Sequence, residues 1–280
     1  MAPSAADKRR TFRKLHESGC FVIPNPWTVG SARYLQGLGF KALATTSSGY
    51  AHSQGFADGD VTRDQMLAHC RELAAATSLP LNADFEGGYA DEPDKVAENV
   101  RLCVETGVAG LSIEDSTNHP ANPLYDFELA LARVRAARAA IDKAGGDVVL
   151  TARTEGFIRN RPDMAETIRR LKAFSDAGAD CLYAPGIRTR EQIVEVVKAV
   201  APKPVNLLMA GPLGFSVKDI ADMGVRRISV GGTLARVAMN ALIHSAREIA
   251  TEGKFDSFAG IITNAELNKF FGEFKPVPKP

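Results

Sequence analysis

The sequence predicts an α/β fold: a single (β/α)8 TIM barrel with an additional N-terminal helix and a further C-terminal helix. Three observations lead there. Short apolar runs alternate with amphipathic segments from end to end, eight such runs are present, and 280 residues is the size of one such domain. Parallel strands joined by right-handed helical crossovers are the natural product of that alternation. A doubly wound open sheet is the alternative, but no G-x-G-x-x-G follows the first run, which weakens a dinucleotide-binding reading. The whole of 1–280 reads as one domain, with an N-terminal helix over 1–19, the barrel over 20–253 and an extension over 254–280.

The elements follow in order. "MAPSAADKRRTFRKLHESG" sets Phe12 and Leu15 at helical spacing among basic residues and reads as a short docking helix; it lacks the apolar stretch of a secretory signal, and organelle targeting is the lesser alternative. The predicted strands lie within "CFVIPNP" (20–26), "KALATTSS" (41–48), "LPLNADFE" (79–86), "GLSIED" (110–115), "VVLTARTE" (148–155), "CLYAPG" (181–186), "PVNLLM" (204–209) and "RRISVGG" (226–232). Between them lie helical patterns such as "TRDQMLAHCRELAAAT" (62–77) and "DMAETIRRLKAFSDAG" (163–178). Gly39, Gly107, Gly178 and Gly224 stand just before the next strand as helix stops. "TLARVAMNALIHSAREIATEG" (233–253) carries apolar residues in more directions than one stripe needs, and a second apolar segment, "AELNKFF" (265–271), follows. The proline-rich tail "EFKPVPKP" reads as extended.

Composition bounds the function. Hydrophobic residues are 45% and charged residues 24%, and the net charge is +1. That balance gives no support to a nucleic-acid or anionic-membrane partner, and no apolar run approaches a membrane span. Cys20, Cys70, Cys103 and Cys181 are scattered, without a C-x-x-C pair or zinc spacing, which suggests a reduced cytoplasmic protein. The five histidines form no H-E-x-x-H.

Polar residues collect where the strands end. The third run places Asn82, Asp84 and Glu86 at every second position, hence on one face of a strand. Ser47 and Ser48 end the second run with Gly49 next to them, Glu114 and Asp115 end the fourth, Arg153 and Glu155 the fifth, and Asn206 lies in the seventh. In a barrel these ends share one face, where active sites lie. Several carboxylates converging there would repel one another unless a cation or shared protons held them, and Mg2+ (or Mn2+) suits oxygen ligands. Arg153 is suited to a substrate carboxylate through two parallel hydrogen bonds, with a structural ion pair to Glu155 or Glu114 as the alternative. The amides of Ser48, Gly49 and Tyr50 could cradle an anion, or could form an ordinary polar turn.

With "TTSSGY", "QGFADGDVT" (54–62), "LPLNADFEGGYA", "GLSIEDS" and "VVLTARTEGF" in this order and spacing, the chain resembles the isocitrate lyase / phosphoenolpyruvate mutase superfamily over roughly residues 15–250. The resemblance implies a barrel whose last helix is swapped between subunits, in a homo-oligomer built as a dimer of dimers. It also implies a small carboxylate substrate, Mg2+, and making or breaking of a C–C or C–P bond beside an α-oxo carboxylate or its enolate. Carried over, Ser48, Gly49 and Tyr50 bind the substrate carboxylate, and Asp58 sits near the reacting centre. Asp84 and Glu114 hold the metal largely through water, Arg153 binds substrate oxygens, and Asn122 belongs to a lid over 118–126.

The departures narrow the expectation. Asn82 stands where the superfamily usually has the first Asp of a D-x-D, and Glu86 lies in what looks like a one-residue insertion that restores the charge. The lyases' K-[KR]-C-G-H lid is absent, Pro120 replaces the lysine of the phosphonate branch, and Gly186 replaces a lyase glutamate. His119 and Tyr125 are the lid groups left for proton transfer. The expected activity is therefore cleavage of a C–C bond in a small 2-oxo or 2-hydroxy di- or tricarboxylate, with very weak or no isocitrate or methylisocitrate lyase activity. A phosphonopyruvate-type mutase or hydrolase and a non-catalytic metabolite-binding relative are the alternatives.

Overall fold

The computed structural model describes residues 3–117 and 119–274. Eight parallel strands form one sheet: β1 (Phe21–Ile23), β2 (Leu43–Ala44), β3 (Leu81–Asp84), β4 (Gly110–Glu114), β5 (Val149–Arg153), β6 (Cys181–Tyr183), β7 (Val205–Leu208) and β8 (Arg227–Ser229). The ladder runs β1-β8-β7-β6-β5-β4-β3-β2. Its two ends meet at β1 and β2, where the Ala44 N–H donates to the Pro24 carbonyl at 3.1 Å. Asn25 ties the same seam. Its Nδ2 donates to the Thr45 carbonyl, and its Oδ1 accepts the N–H groups of Val230 and Gly231, all at 2.9 Å. The closed (β/α)8 barrel predicted by the alternation is the fold.

Helices α2 (Val29–Gly37), α4 (Arg63–Ala76), α5 (Pro93–Val104), α6 (Phe127–Lys143), α7 (Met164–Asp176), α8 (Arg190–Val200), α9 (Val217–Asp222) and α10 (Thr233–Glu252) follow the eight strands in turn. A short helix, α3 (Ser47–Ser53), intervenes between β2 and α4. Local chemistry sets the boundaries. Thr28, Thr62, Thr189 and Ser216 cap α2, α4, α8 and α9, each with a reciprocal capping box. Gly107 and Gly178, at φ +89° and +97°, turn the chain after α5 and α7 where a side chain would be strained.

Alternation along each strand separates two environments. Leu81, Ala83, Leu111, Ile113, Leu150, Ala152, Leu182, Leu207 and Ile228 belong to the main core with helix residues such as Met66, Val100, Val134, Phe174 and Val196. The other strand face lines the barrel interior. Near the strands' N-terminal end that interior is apolar, a cluster of Phe21, Ile23, Ala42, Ala44, Ala109 and Val149 closed by Phe12 of α1 (Ala5–Leu15). Basic residues of α1 then satisfy carbonyls around the rim. Lys8 Nζ donates to Ala74 and Thr77 (2.7 and 2.6 Å), Arg9 to Val104 and Val108, and Arg13 to Gly146 and Asp147. The N-terminal segment thus docks through the two apolar positions its spacing singled out.

Beyond the barrel, α10 buries only Ala235. A 3-10 turn and α11 (Asn264–Phe271) follow, and Phe270 packs on Tyr34 of α2 at 4.9 Å. Asn118 of the expected lid and positions 275–280 of the tail lie outside the described residues. Among the described residues no helix is long and apolar enough to cross a membrane.

Candidate active site

The C-terminal half of the barrel interior is polar. A cavity of about 180 Å³ there is lined by residues of all eight strands or their ends, among them Asn25, Thr45, Asn82, Asp84, Ser112, Arg153, Tyr183, Asn206 and Arg227. Arg153 is its organising charge. Its Nη1 lies 2.7 Å from Asp84 Oδ1 and 3.2 Å from Glu114 Oε2, and its Nε donates to Glu155 Oε1 at 3.0 Å. The strand register explains the meeting, since Glu114 and Arg153 are direct partners on β4 and β5 and partners share a face. The second oxygen of Asp84 accepts both the N–H and the hydroxyl of Ser47 at 3.0 Å. The Asp84 N–H donates to Thr45 Oγ1 at 2.8 Å.

A second cavity, about 150 Å³, adjoins the first at Arg153 and is lined by Asp58, Glu86, Glu114, Glu155 and Arg159 as well. Four carboxylates therefore face two guanidiniums, with Asp84 alongside. Their ionisation records the crowding. Burial, then Glu155, pushes the Glu114 carboxyl well above its usual range against the pull of Arg153. Burial raises Glu155 while Arg153 opposes it. Desolvation and then Asp84 raise Asp58, which stands at the mouth. Burial disfavours charge on Arg153, but Glu155, Glu114 and Asp84 together hold it more firmly protonated than an ordinary arginine.

Glu86 is placed by a strained turn. The strand ends at Asp84, and Glu86 and Tyr89 take φ +46° and +57°, unusual for residues with side chains. The Tyr89 hydroxyl donates to Glu86 Oε1 at 3.0 Å. The turn is gripped by Arg133 of α6, 1% exposed, which donates to the carbonyls of Gly87, Ala90 and Asp91 and lies over the Tyr125 ring. Burial, then Asp84, pushes the Glu86 carboxyl up to about 7.

The structure thus brings Asp58, Asp84, Glu86, Glu114 and Arg153 together. Asn82 lies deeper, 4% exposed, with its Oδ1 lacking a hydrogen-bond partner. Asn206, also in the interior, accepts from Arg227 Nε at 2.8 Å. Ser48 reaches the cavity wall, whereas the Tyr50 ring stacks on His69 of α4, 3.9 Å between centroids. "SSGY" is the first turn of α3 rather than a loop, so the Gly49 and Tyr50 N–H groups already donate to Thr46. His119 lines a side cavity of about 410 Å³ that shares Glu86 and Glu114 with the centre. Asn122 faces a separate groove with Gly156 and Arg161. Asp115 turns away into a 3.0 Å ion pair with Arg170.

The sequence pattern gave Arg159 and Arg227 no place in the site. Glu155 was read at the end of the fifth run, both among the residues that share the site face and as an alternative partner of Arg153. Ser47 was legible as a residue type and not as the donor to Asp84. Arg159 sits in the loop after β5, and Arg227 at the start of β8 carried no signal that it points inward.

Among the described residues no three carboxylate, histidine or cysteine side chains converge into an all-protein metal cage. The donor set nevertheless fits a hard divalent cation held mainly through water. It is all oxygen, it carries more carboxylates than cations, and the buried Asn82 oxygen is unpartnered.

Comparison with known proteins identifies the family. Residues 12–250 match the family Phosphoenolpyruvate phosphomutase. A Burkholderia cenocepacia J2315 protein solved as a candidate lyase/mutase is 44% identical, with a TM-score of 0.93 over 96% of this chain and 97% of that one. The structure of oxaloacetate acetylhydrolase in complex with the product oxalate is 29% identical, with a TM-score of 0.86 over 96% of each chain. The oxaloacetate decarboxylase of Paraburkholderia xenovorans (strain LB400) is 30% identical over 260 residues, covering 88% of this chain and 83% of its own. With the barrel, the motif order and this match over most of its length, the chain belongs to the phosphoenolpyruvate phosphomutase family, within the isocitrate lyase / phosphoenolpyruvate mutase superfamily.

Proposed function

We propose that this chain is a Mg2+-dependent lyase that cleaves a C–C bond in a small 2-oxo or 2-hydroxy di- or tricarboxylate. The observation that carries the reading is Arg153, a buried guanidinium shared by Asp84, Glu114 and Glu155 at the wall of a small polar cavity. That arrangement is stable without ligand yet can exchange a carboxylate partner for a substrate carboxylate of the same charge and shape. The similarity to an oxaloacetate decarboxylase and to oxaloacetate acetylhydrolase supports a four-carbon 2-oxo dicarboxylate in particular.

Asp84, Glu86 and Glu114, with Asn82 beneath, would hold the metal, largely through water. When bound, Mg2+ would supply Lewis-acid stabilisation of negative charge developing on a substrate oxygen. The protein's part is positioning and proton transfer. Arg153 orients the carboxylate and the neighbouring oxygen. In cleavage of a hydroxyl-bearing substrate, a base takes the hydroxyl proton and that carbon becomes a carbonyl. The electron pair of the broken bond stays on the carbon beside the acid group, and a proton is delivered there. His119, which lines the side cavity with Glu86 and Glu114, is the lid group placed to exchange that proton. Cys70, Cys103 and Cys181 are buried and Cys20 precedes β1, so a lid thiol plays no part and methylisocitrate cleavage is expected to be very weak. The four free thiols fit a cytoplasmic setting.

A C–P reading would rest on Asn122. Its place in the groove with Arg161, apart from the carboxylates, leaves the C–C reading preferred. Turnover of oxaloacetate, 2-methylisocitrate, dimethylmalate-like acids and phosphonopyruvate separates the readings. The expected result is Mg2+-dependent cleavage of an oxo or hydroxy dicarboxylate, lost on chelation and restored by the metal. Full activity after exhaustive chelation would remove the metal from the proposal, and binding without turnover across the panel would make the chain a metabolite-binding relative.

A further inference from the structure

Arg227 is the unusual group in the barrel. It is 3% exposed, yet among the described residues no carboxylate lies within ion-pair distance of it. Its recorded partners are neutral. Nε donates to Asn206 Oδ1 at 2.8 Å, Nη2 donates to Thr151 Oγ1 at 2.9 Å, and Nη1 lies 3.4 Å from His16 Nε2. A guanidinium has about five N–H donors, so this set leaves capacity for an acceptor. Arg153, a little higher in the same cavity, has three carboxylates, and Arg170, equally deep outside it, has Asp115 and Glu166. A buried cation without a counterion is costly and calls for an explanation.

The surroundings are built to keep Arg227 aimed. The Asn206 amide is fixed because its Nδ2 donates to Ser229 Oγ at 2.9 Å, which turns its oxygen to the guanidinium. His16 offers a neutral ring, since burial and then Arg227 itself push its imidazole down to about 3. Phe12 seals the barrel below. Above, Arg227 and Arg153 line one cavity of about 180 Å³ with the hydroxyls of Thr45, Ser112 and Ser229.

We infer that the barrel floor is a second oxyanion subsite, in which Arg227, oriented by Asn206 and Thr151, binds the distal carboxylate or phosphonate of a substrate whose other end is held at Arg153. This rests on reading the cavity as the substrate site. A monoanion would satisfy one arginine and a small dianion both, so the floor selects for a second negative group.

Calorimetry with three 2-hydroxy acids of one chain length tests it: 2-hydroxybutyrate, malate and 3-phosphonolactate, in the presence of Mg2+. The wild type is expected to bind malate or phosphonolactate about 10-fold or more tightly than 2-hydroxybutyrate, the scale of a charged hydrogen bond. The tighter of the two identifies carboxylate or phosphonate as the distal group. Arg227→Gln should abolish the dianion preference and leave 2-hydroxybutyrate unchanged, whereas Arg153→Gln should weaken all three. Dianion preference retained in Arg227→Gln overturns the subsite. Equal binding of all three by the wild type also overturns it while the substrate-site reading stands, and no binding at all removes both. Should Arg227→Gln not fold, Arg227→Lys keeps a cation without the fork and should lose part of the preference; an unchanged preference there counts against the proposal.

Discussion

Arg153 makes its three ion pairs through two nitrogens of one planar group, and this determines what substitution there does. Lysine keeps the charge but has one point of contact, so it can neither span Asp84, Glu114 and Glu155 nor present a fork to a substrate carboxylate. Arg153→Lys is expected to lower kcat/KM by the equivalent of about 2–5 kcal/mol, and near-normal steady-state kinetics would make Arg153 a structural ion-pair residue instead. Asn82→Asp, which replaces an unpartnered neutral oxygen with a charged one, is expected to tighten Mg2+ binding in a calorimetric titration. An unchanged affinity would place residue 82 outside the metal's reach. How much of the site could be read in advance also varies residue by residue. Glu114 and Arg153 were legible because strand alternation fixes the face of each. Glu86 was legible as a carboxylate, but its turn was not, because φ +46° in a non-glycine residue depends on Arg133 gripping the next carbonyls from α6. Arg227 was illegible beside Arg226: one arginine precedes β8 and the next opens it, and only register decides that Arg226 donates to the Gly19 carbonyl while Arg227 turns inward.

At the scale of elements, the helix α1 shows how a short basic segment becomes a structural part. Phe12 is fully buried, and a side-chain carbon at Gly110 would lie 2.6 Å from its ring and 2.7 Å from Asn82 Oδ1. Phe12→Ala should therefore cost about 3–5 kcal/mol by opening a cavity at the barrel's closed end. Gly110→Ala should destabilise from the opposite direction, by crowding. Urea midpoints measure both, and a loss under about 1 kcal/mol for Phe12→Ala would mean that the barrel bottom relaxes around the gap. All eight predicted runs contain a strand, because alternation, caps and glycine stops agree. The strands are shorter than the runs: β3 and β5 end at Asp84 and Arg153, where the chain passes into the loops that line the cavity. The helix α3 escaped the reading because Thr46 caps a segment of small polar residues that carries no apolar period.

For the whole molecule, two buried histidines link stability to pH. Burial lowers His16 to about 3, with Arg227 adding to the effect, and lowers His69 to about 4. Their folded pKa values lie below the unfolded value near 6.5, so the unfolded chain binds more protons between those limits. Their contribution is complete above about pH 6.5 and is lost as pH falls, by up to roughly 1.4 kcal/mol per pH unit for each. Glu86, raised to about 7, acts in the opposite sense over part of that window. The clean measurement is therefore the difference between wild type and His69→Gln: the loss of urea stability from pH 7 to pH 5 should shrink in the variant, and an equal loss would show that His69 charges without unfolding. Assembly is the larger question at this scale, and α10 poses it. Of its residues only Ala235 is buried, while Val237 and Leu242 are each 61% exposed and Met239, Ile243 and Ile249 also face outward. Phe255, Phe258, Ile261 and Ile262 extend the apolar surface. A single chain has no reason to leave so much hydrocarbon in water along one helix, whereas a helix packed on another copy's barrel does. We expect a tetramer built from dimers, with a mass by light scattering near four times 30.0 kDa. Val237→Asp with Leu242→Asp should shift it to smaller species without touching the cavity residues. A wild type that scatters as a 30.0 kDa monomer at micromolar concentration would show that α10 has no partner.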